Sequence, residues 1–237
     1  MASSSGILEF HGSNFFRQRL VLAAVTGKPV KILSIRSDED DLGIKDYEMR
    51  VLKLMDEITN GSKIEVNETG TQIFFQPGLL TGGSLQMECG LERCISYYLE
   101  LLLCLAPFCR QPVQASLSGV TNNRTEISVD AMKATWLPIL KKFLLDTESL
   151  DVKVLKRGLA PSGGGHVQFT CPTCRQLRPV QLRKAGKVKK IRGVAYASKV
   201  SPLMITRMVD GAKRLLTPLL ANVFVTSDHR KGASGGK

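Results

Sequence analysis

The residues best equipped for chemistry are cations. Arg183, Lys184, Lys187, Lys189, Lys190 and Arg192 fall within one short stretch with no acid among them. Charges packed so closely repel by about 1 kcal/mol per near pair in water, so an anionic partner would relieve the strain. The excess extends over the whole back of the chain. Residues 153–237 hold 18 Lys and Arg against Asp210 and Asp228, whereas residues 1–152 hold 15 bases and 19 acids. A basic back of this kind meets phosphate: RNA, DNA or an anionic surface. Tyr196 is the only aromatic residue near the cluster in sequence. Phosphate contacts should therefore dominate over base stacking. A grip on an acidic protein is the competing use of the same charge.

Other candidate groups carry less. Cys171 and Cys174 form a CxxC, but no second pair or HxxxH follows to complete a zinc site. Pro179 follows closely, where a redox CxxC would open a helix, so the six cysteines read as free thiols. Asp38, Glu39, Asp40 and Asp41 are adjacent in one loop and point different ways, which fits a solvated turn better than a metal site. Arg157 and His166 flank a loop containing Gly163, Gly164 and Gly165, where a phosphate could approach; a flexible strand connection is the plainer reading. Walker A, GxGxxG and GxSxG patterns are missing from the sequence. No catalytic residue, cofactor site or metal site is assigned. Apolar runs fall short of a bilayer span, and the N-terminal residues lack a signal-peptide pattern, so no membrane partner is expected.

The elements that must position these groups alternate between strands and helices. A short strand at 8–10, a helix at 15–26, a strand at 30–35 and a helix from Asp46 lead to a hairpin around Thr69-Gly70. The order then recurs: an extended piece at 84–88, a helix at 91–107, strand 113–117, a helix capped by Ser128, and strands 150–155 and 166–171. Pro29-Val30 aligns with Pro112-Val113, and Met49 with Met132. The fold class is thus α/β (α+β), built from tandem βαβαββ repeats at about 8–77 and 84–172 within a region spanning 1–174. Each repeat lays its helices on one face of a four-stranded sheet. Residues 178–229 read as a separate, partial small α/β unit: a strand at 193–200, a helix capped by Ser201-Pro202, and a strand at 223–226. Residues 230–237 read as a mobile tail.

Several motifs in order carry a resemblance. They are Gly12 to Arg19, Thr26-Gly27-Lys28-Pro29, Ile35-Arg36, Gln76 to Gly83, Tyr97 to Glu100, Arg157 to Val167, and Ile191 to Pro202. In these the chain resembles the RNA 3′-terminal phosphate cyclase superfamily, most closely its eukaryotic cyclase-like branch of pre-ribosomal RNA-processing factors. The resemblance implies three βαβαββ repeats with a small insert domain in the third. By that reading the rest of the insert and most of the third repeat would lie beyond Lys237.

The departures from the cyclase pattern bear on function. Cyclases carry an acidic, glycine-rich nucleotide element after Gly-Ser, whereas here Asn14-Phe15-Phe16-Arg17 follows Gly12-Ser13. Arg17 and Arg36 are the remnants. The histidine that cyclases adenylate belongs to the C-terminal part, and nucleotidyl transfer needs such a nucleophile. The expectation is therefore a non-catalytic ribosome-biogenesis factor of the small-subunit processome. It would support pre-rRNA cleavage toward 18S rRNA and 40S assembly in the nucleus and nucleolus, with no cofactor. Expected partners are pre-rRNA, the small nucleolar RNP of the processome and a ribosome-biogenesis GTPase. Expected RNA or phosphate contacts are Arg17, Arg36, Arg157, Arg183, Lys184, Lys187, Lys189, Lys190 and Arg192. The alternative is an RNA-processing enzyme, either an RNA 3′-terminal phosphate cyclase or an RNA endonuclease.

Overall fold

The computed structural model describes residues 6–198 and 200–230. The first repeat runs β1 (Leu8–His11), α1 (Phe16–Thr26), β2 (Val30–Leu33), α2 (Asp46–Ile58), β3 (Thr59–Asn60), β4 (Lys63–Val66) and β5 (Ile73–Gln76). Its four-stranded sheet has the order β1-β2-β5-β4, with β1 and β2 parallel and the other neighbours antiparallel. After β6 (Leu79–Leu80), the second repeat runs β7 (Gly83–Glu88), α3 (Ile95–Leu105), β8 (Val113–Gly119), α4 (Val129–Phe143), β9 (Asp151–Lys156) and β10 (Gly165–Cys171). Its order, β7-β8-β10-β9, has the same single parallel pair. The duplication read from the sequence is therefore a duplication of topology. The small β3–β6 ladder, absent from the sequence reading, joins the end of the first repeat to the approach to the second.

Period-two burial explains why each sheet has helices on one face. Val30, Ile32, Ile73 and Phe75 are buried, while their neighbours Lys31, Leu33, Phe74 and Gln76 are partly or fully exposed. Leu20 and Ala23 of α1, Leu54 and Met55 of α2, and Leu99 and Leu102 of α3 join these residues in one core that spans both repeats. α1 packs on α3. Truncating a fully buried leucine in this core to alanine costs about 2–5 kcal/mol.

Beyond the repeats come β11 (Ile191–Ser198), α5 (Pro202–Leu216) and β12 (Val223–Arg230). β11 and β12 are parallel, and Ser201 caps α5 by accepting from the Leu203 N–H. This βαβ unit has its own small core of Ala195, Ala197 and Ile205, with Val209 and Val225 packed against it. β12 is longer than the strand read at 223–226 and takes in Arg230; the rest of the tail expected at 230–237 lies outside the described residues.

Candidate anion and nucleic-acid interface

Because β1 and β2 are parallel, the chain must turn back through α1, which places the start of α1 beside the C-terminal end of the sheet. Phe15 occupies the cap position in the left-handed conformation (φ 55°), with no side-chain cap and no acid in the first turn. The first N–H groups of α1 therefore keep their positive field. Ser34 (φ 51°) and Arg36 (φ 44°), just after β2, are the other non-glycine residues with positive φ among the described residues. The sequence reading continued β2 to Ile35; the turn at 34–36 ends it earlier. Conformations of this kind cost about 1–3 kcal/mol each and persist where the surroundings impose them. Phe15 and Arg36 both line one cavity of about 300 Å³ at the start of α1, together with Arg17, Tyr47, Arg93 and Tyr97.

Each of these arginines is held by a carboxylate. Arg17 donates to Glu100 and to the Tyr97 carbonyl, both at 2.6 Å, and its guanidinium lies 3.8 Å from the Tyr97 ring centroid. Arg36 donates to the two Glu48 oxygens at 2.7 and 2.8 Å and to the Gly43 carbonyl at 3.0 Å. The hydrogen bond to Glu48 holds its pKa above the ordinary arginine value. Arg93 donates to Glu126 at 3.2 Å and sits 4.3 Å from the centroid of Tyr47. Burial pushes the Tyr97 phenol up to about 12. The cavity thus offers fixed guanidiniums, aromatic walls and an uncapped helix start. That combination is able to orient an anion such as a phosphate, with the Glu48 carboxylate also on the cavity wall.

The remaining expected contacts lie elsewhere. Residues 181–190 have no regular structure and are all exposed, Arg183, Lys184, Lys187, Lys189 and Lys190 included. They lead into β11, and none of them lines the cavity at α1. Arg192, on β11, is exposed, and its guanidinium lies 4.0 Å from the Phe224 ring centroid. The parallel register of β11 and β12 supplies an aromatic neighbour that is remote in sequence, in addition to Tyr196, the ring near the cluster along the chain.

Arg157 was expected at a phosphate; the structure places it between protein carboxylates. It is 7% exposed and donates to Asp130 at 2.6 and 3.0 Å and to Asp228 at 3.0 Å. Its guanidinium lies over the ring of Tyr196, whose hydroxyl accepts from Asn122 at 2.6 Å. These interactions clasp the βαβ unit onto the second repeat. Of the glycines nearby, Gly158 serves close backbone packing: a Cβ there would lie 2.1 Å from the Gly165 nitrogen. His166 meets Ser116 across β8 and β10 at 3.2 Å.

All six cysteines are free, and burial pushes Cys109 up to about 11 and Cys171 up to about 12. Asp38 to Asp41 are exposed. Among the described residues no group of three or more His, Cys, Asp or Glu side chains could hold a metal ion, and no helix is long and apolar enough to cross a membrane.

A family model described as RNA 3′-terminal phosphate cyclase matches residues 8–229, which takes in both repeats and the βαβ unit. The chain belongs to this cyclase family. It is 50% identical over its whole length to the RNA 3′-terminal phosphate cyclase-like protein of Mus musculus, and 49% identical to that of Homo sapiens. The chain spans 64% of the length of each of these relatives. It is 38% identical over 99% of its length to the rRNA processing protein rcl1 of Schizosaccharomyces pombe, of which it covers 65%.

Within this cyclase-family chain, Arg93 and Tyr47 at the cavity were invisible to sequence reasoning. Arg93 lies beside Glu92 in an unpatterned stretch, and only the packing of α3 against α1 brings it to the cavity. The Tyr97-Tyr98-Leu99-Glu100 motif held a partial signal, because its tyrosine and its acid are the groups that hold Arg17.

Proposed function

We propose that this chain acts as an RNA-contacting, non-catalytic part of a ribosome-biogenesis factor. The supporting observation is its likeness, over nearly its whole length, to a relative named as an rRNA processing protein. The exposed basic run at 181–190 and the guanidinium-lined cavity at α1 fit that role, one as a polyanion grip and the other as a seat for a single phosphate. In this reading the factor works in the nucleolus within the small-subunit processome and supports pre-rRNA cleavage toward 18S rRNA and 40S assembly. It docks a ribosome-biogenesis GTPase and meets the small nucleolar RNP and pre-rRNA. Arg17 and Arg36 hold a phosphate, and Arg183, Lys184, Lys187, Lys189, Lys190 and Arg192 carry the RNA backbone.

Two measurements test the reading. Incubation of the purified chain with labelled ATP should leave no label on the protein after denaturing electrophoresis; a covalent adduct would return the enzyme reading. Replacement of Lys187, Lys189 and Lys190 with Ser should weaken binding to a structured pre-rRNA fragment. It should also flatten the salt dependence, by about 0.7 in log–log slope for each single-strand phosphate no longer neutralised. Unchanged affinity and slope would transfer the basic run to an acidic protein partner.

A further inference from the structure

The open face of the β11–β12 sheet bears on which form of RNA is bound. α5 covers the opposite face through Ala195, Ala197, Val225 and its own Ile205 and Val209. Alternation along the strands puts Arg192, Val194 and Tyr196 of β11, and Phe224, Thr226 and Asp228 of β12, on the open face. The two ends of this face differ. At one end Tyr196 and Asp228 are fastened to the second repeat by Asn122 and Arg157. At the other end Phe224 is 53% exposed and Val194 is 54% exposed. There the guanidinium of Arg192 lies over the Phe224 ring, its partner in register. The exposed basic run at 181–190 enters β11 at this same end.

A solvent-facing ring paired with a guanidinium presents two planar groups, and both stack on nucleobases. Duplex RNA keeps its base faces stacked internally and offers phosphates, 2′-hydroxyls and base edges, so an exposed ring gains little from it. Unpaired nucleotides offer both the phosphate string for the cations and a free base face for the ring. Charge complementarity selects a polyanion, and the ring selects a polyanion with unpaired bases.

We propose that Arg192 and Phe224 form a stacking platform for an unpaired base, so that the basic run takes single-stranded rather than duplex RNA. This rests on the RNA-contacting reading above. The same arrangement replaces the sequence-based expectation that stacking is minor.

The test uses the full chain with two fluorescent probes: a single-stranded RNA of about twelve nucleotides, within the usual site size, and a duplex of the same length. The single strand carries 2-aminopurine, whose emission falls when it stacks. Phe224→Ala should weaken single-strand binding on the order of tenfold. It should also abolish the 2-aminopurine quench and leave duplex affinity and the salt slope unchanged. Phe224→Leu, which keeps apolar bulk without a ring, should behave like the alanine variant, and Phe224→Trp should bind at least as well as the original chain. Phe224 lies outside the core clusters, and far-ultraviolet circular dichroism during thermal melts checks that each variant is folded. If Phe224→Ala and Phe224→Leu bind the single strand normally while the Lys187, Lys189 and Lys190 substitutions weaken it, the platform is refuted and the RNA reading survives. Equal weakening toward single strand and duplex also refutes the platform. If neither set of substitutions changes RNA affinity but Phe224→Ala weakens capture of a polyglutamate peptide, both readings fall, and the face belongs to an acidic protein.

Discussion

The two repeats build the same helix start twice and finish it differently. In the first, α1 begins at Phe15 with no side-chain cap and no acid in its first turn. The loop after β2 is tied back to its own side, because Arg36 grips Glu48 and the Gly43 carbonyl, and Asp38 to Asp41 stay in solvent. In the second, the loop after β8 turns a carboxylate inward. Glu126 accepts from the N–H of Cys94, the cap residue of α3, at 2.6 Å, and Asn123 steadies it at 2.9 Å. One helix start thus already holds a carboxylate supplied by the loop that follows its sheet strand, while the other has no side-chain cap and no acid in its first turn. A duplicated frame fixes where a positive helix end falls, and the chemistry of one loop decides whether that end is closed by the chain's own carboxylate or left without one.

The comparison breaks most visibly at Glu48. Glu48→Ala should strand the Arg36 guanidinium, which is 12% exposed, and remove the hydrogen bond to the Lys45 N–H that opens α2. A loss of about 3–5 kcal/mol is expected, read as a lowered denaturation midpoint by circular dichroism. A near-neutral result would mean that the loop of the first repeat is held by something else.

Glu126→Ala should cost less, about 1.5–3 kcal/mol, because the residue it leaves, Arg93, keeps its stacking on Tyr47 and Tyr97. This variant also sharpens the comparison. With its internal carboxylate gone, α3 should come to resemble α1, and added sulfate should recover part of the missing stability. Melting curves across a sulfate series would show this, and a sulfate response no larger than that of the original chain would count against it.

Smaller still is the effect expected of sulfate on the unaltered chain. Occupation of the cavity at α1 should raise stability by about 1 kcal/mol when sulfate is several-fold above its dissociation constant. Arg17→Ala should remove most of that gain while leaving any response at α3 unchanged. Differential scanning fluorimetry at constant ionic strength separates this from general salt effects.

The smallest expected change is at Phe15, whose side chain is 72% exposed while its backbone holds φ 55°. Phe15→Gly should relieve strain and stabilise the chain by up to about 1 kcal/mol. Destabilisation would show that the phenyl ring holds the start of α1 in place.

Much of this architecture was legible in the sequence because it rests on local patterns. Alternating burial, the Thr69-Gly70 turn and the Ser201-Pro202 cap are each decided within a few residues, and all three stand in the structure. The repeat was legible because two stretches carry the same succession of periods. The candidate sites were legible only as charge. Arg17 and Arg36 could be named, but Arg93 reaches their cavity through helix packing that no spacing encodes. Arg157 has the same residue type as the surface cations, yet the fold buries it between Asp130 and Asp228.

By itself the sequence determined the order of the main strands and helices, the basic back and the absence of an acidic glycine-rich element after Gly12-Ser13. These follow from side-chain periodicity, composition and local turn chemistry, which act within a few residues of chain. Only the tertiary structure decided which charges are free to meet a ligand. It matched Glu126 to α3, left the start of α1 without a side-chain cap, buried Arg157, and set Phe224 beneath Arg192. The physical reason is that electrostatic and stacking interactions depend on distance in space, and strand register and helix packing set those distances between residues far apart along the chain.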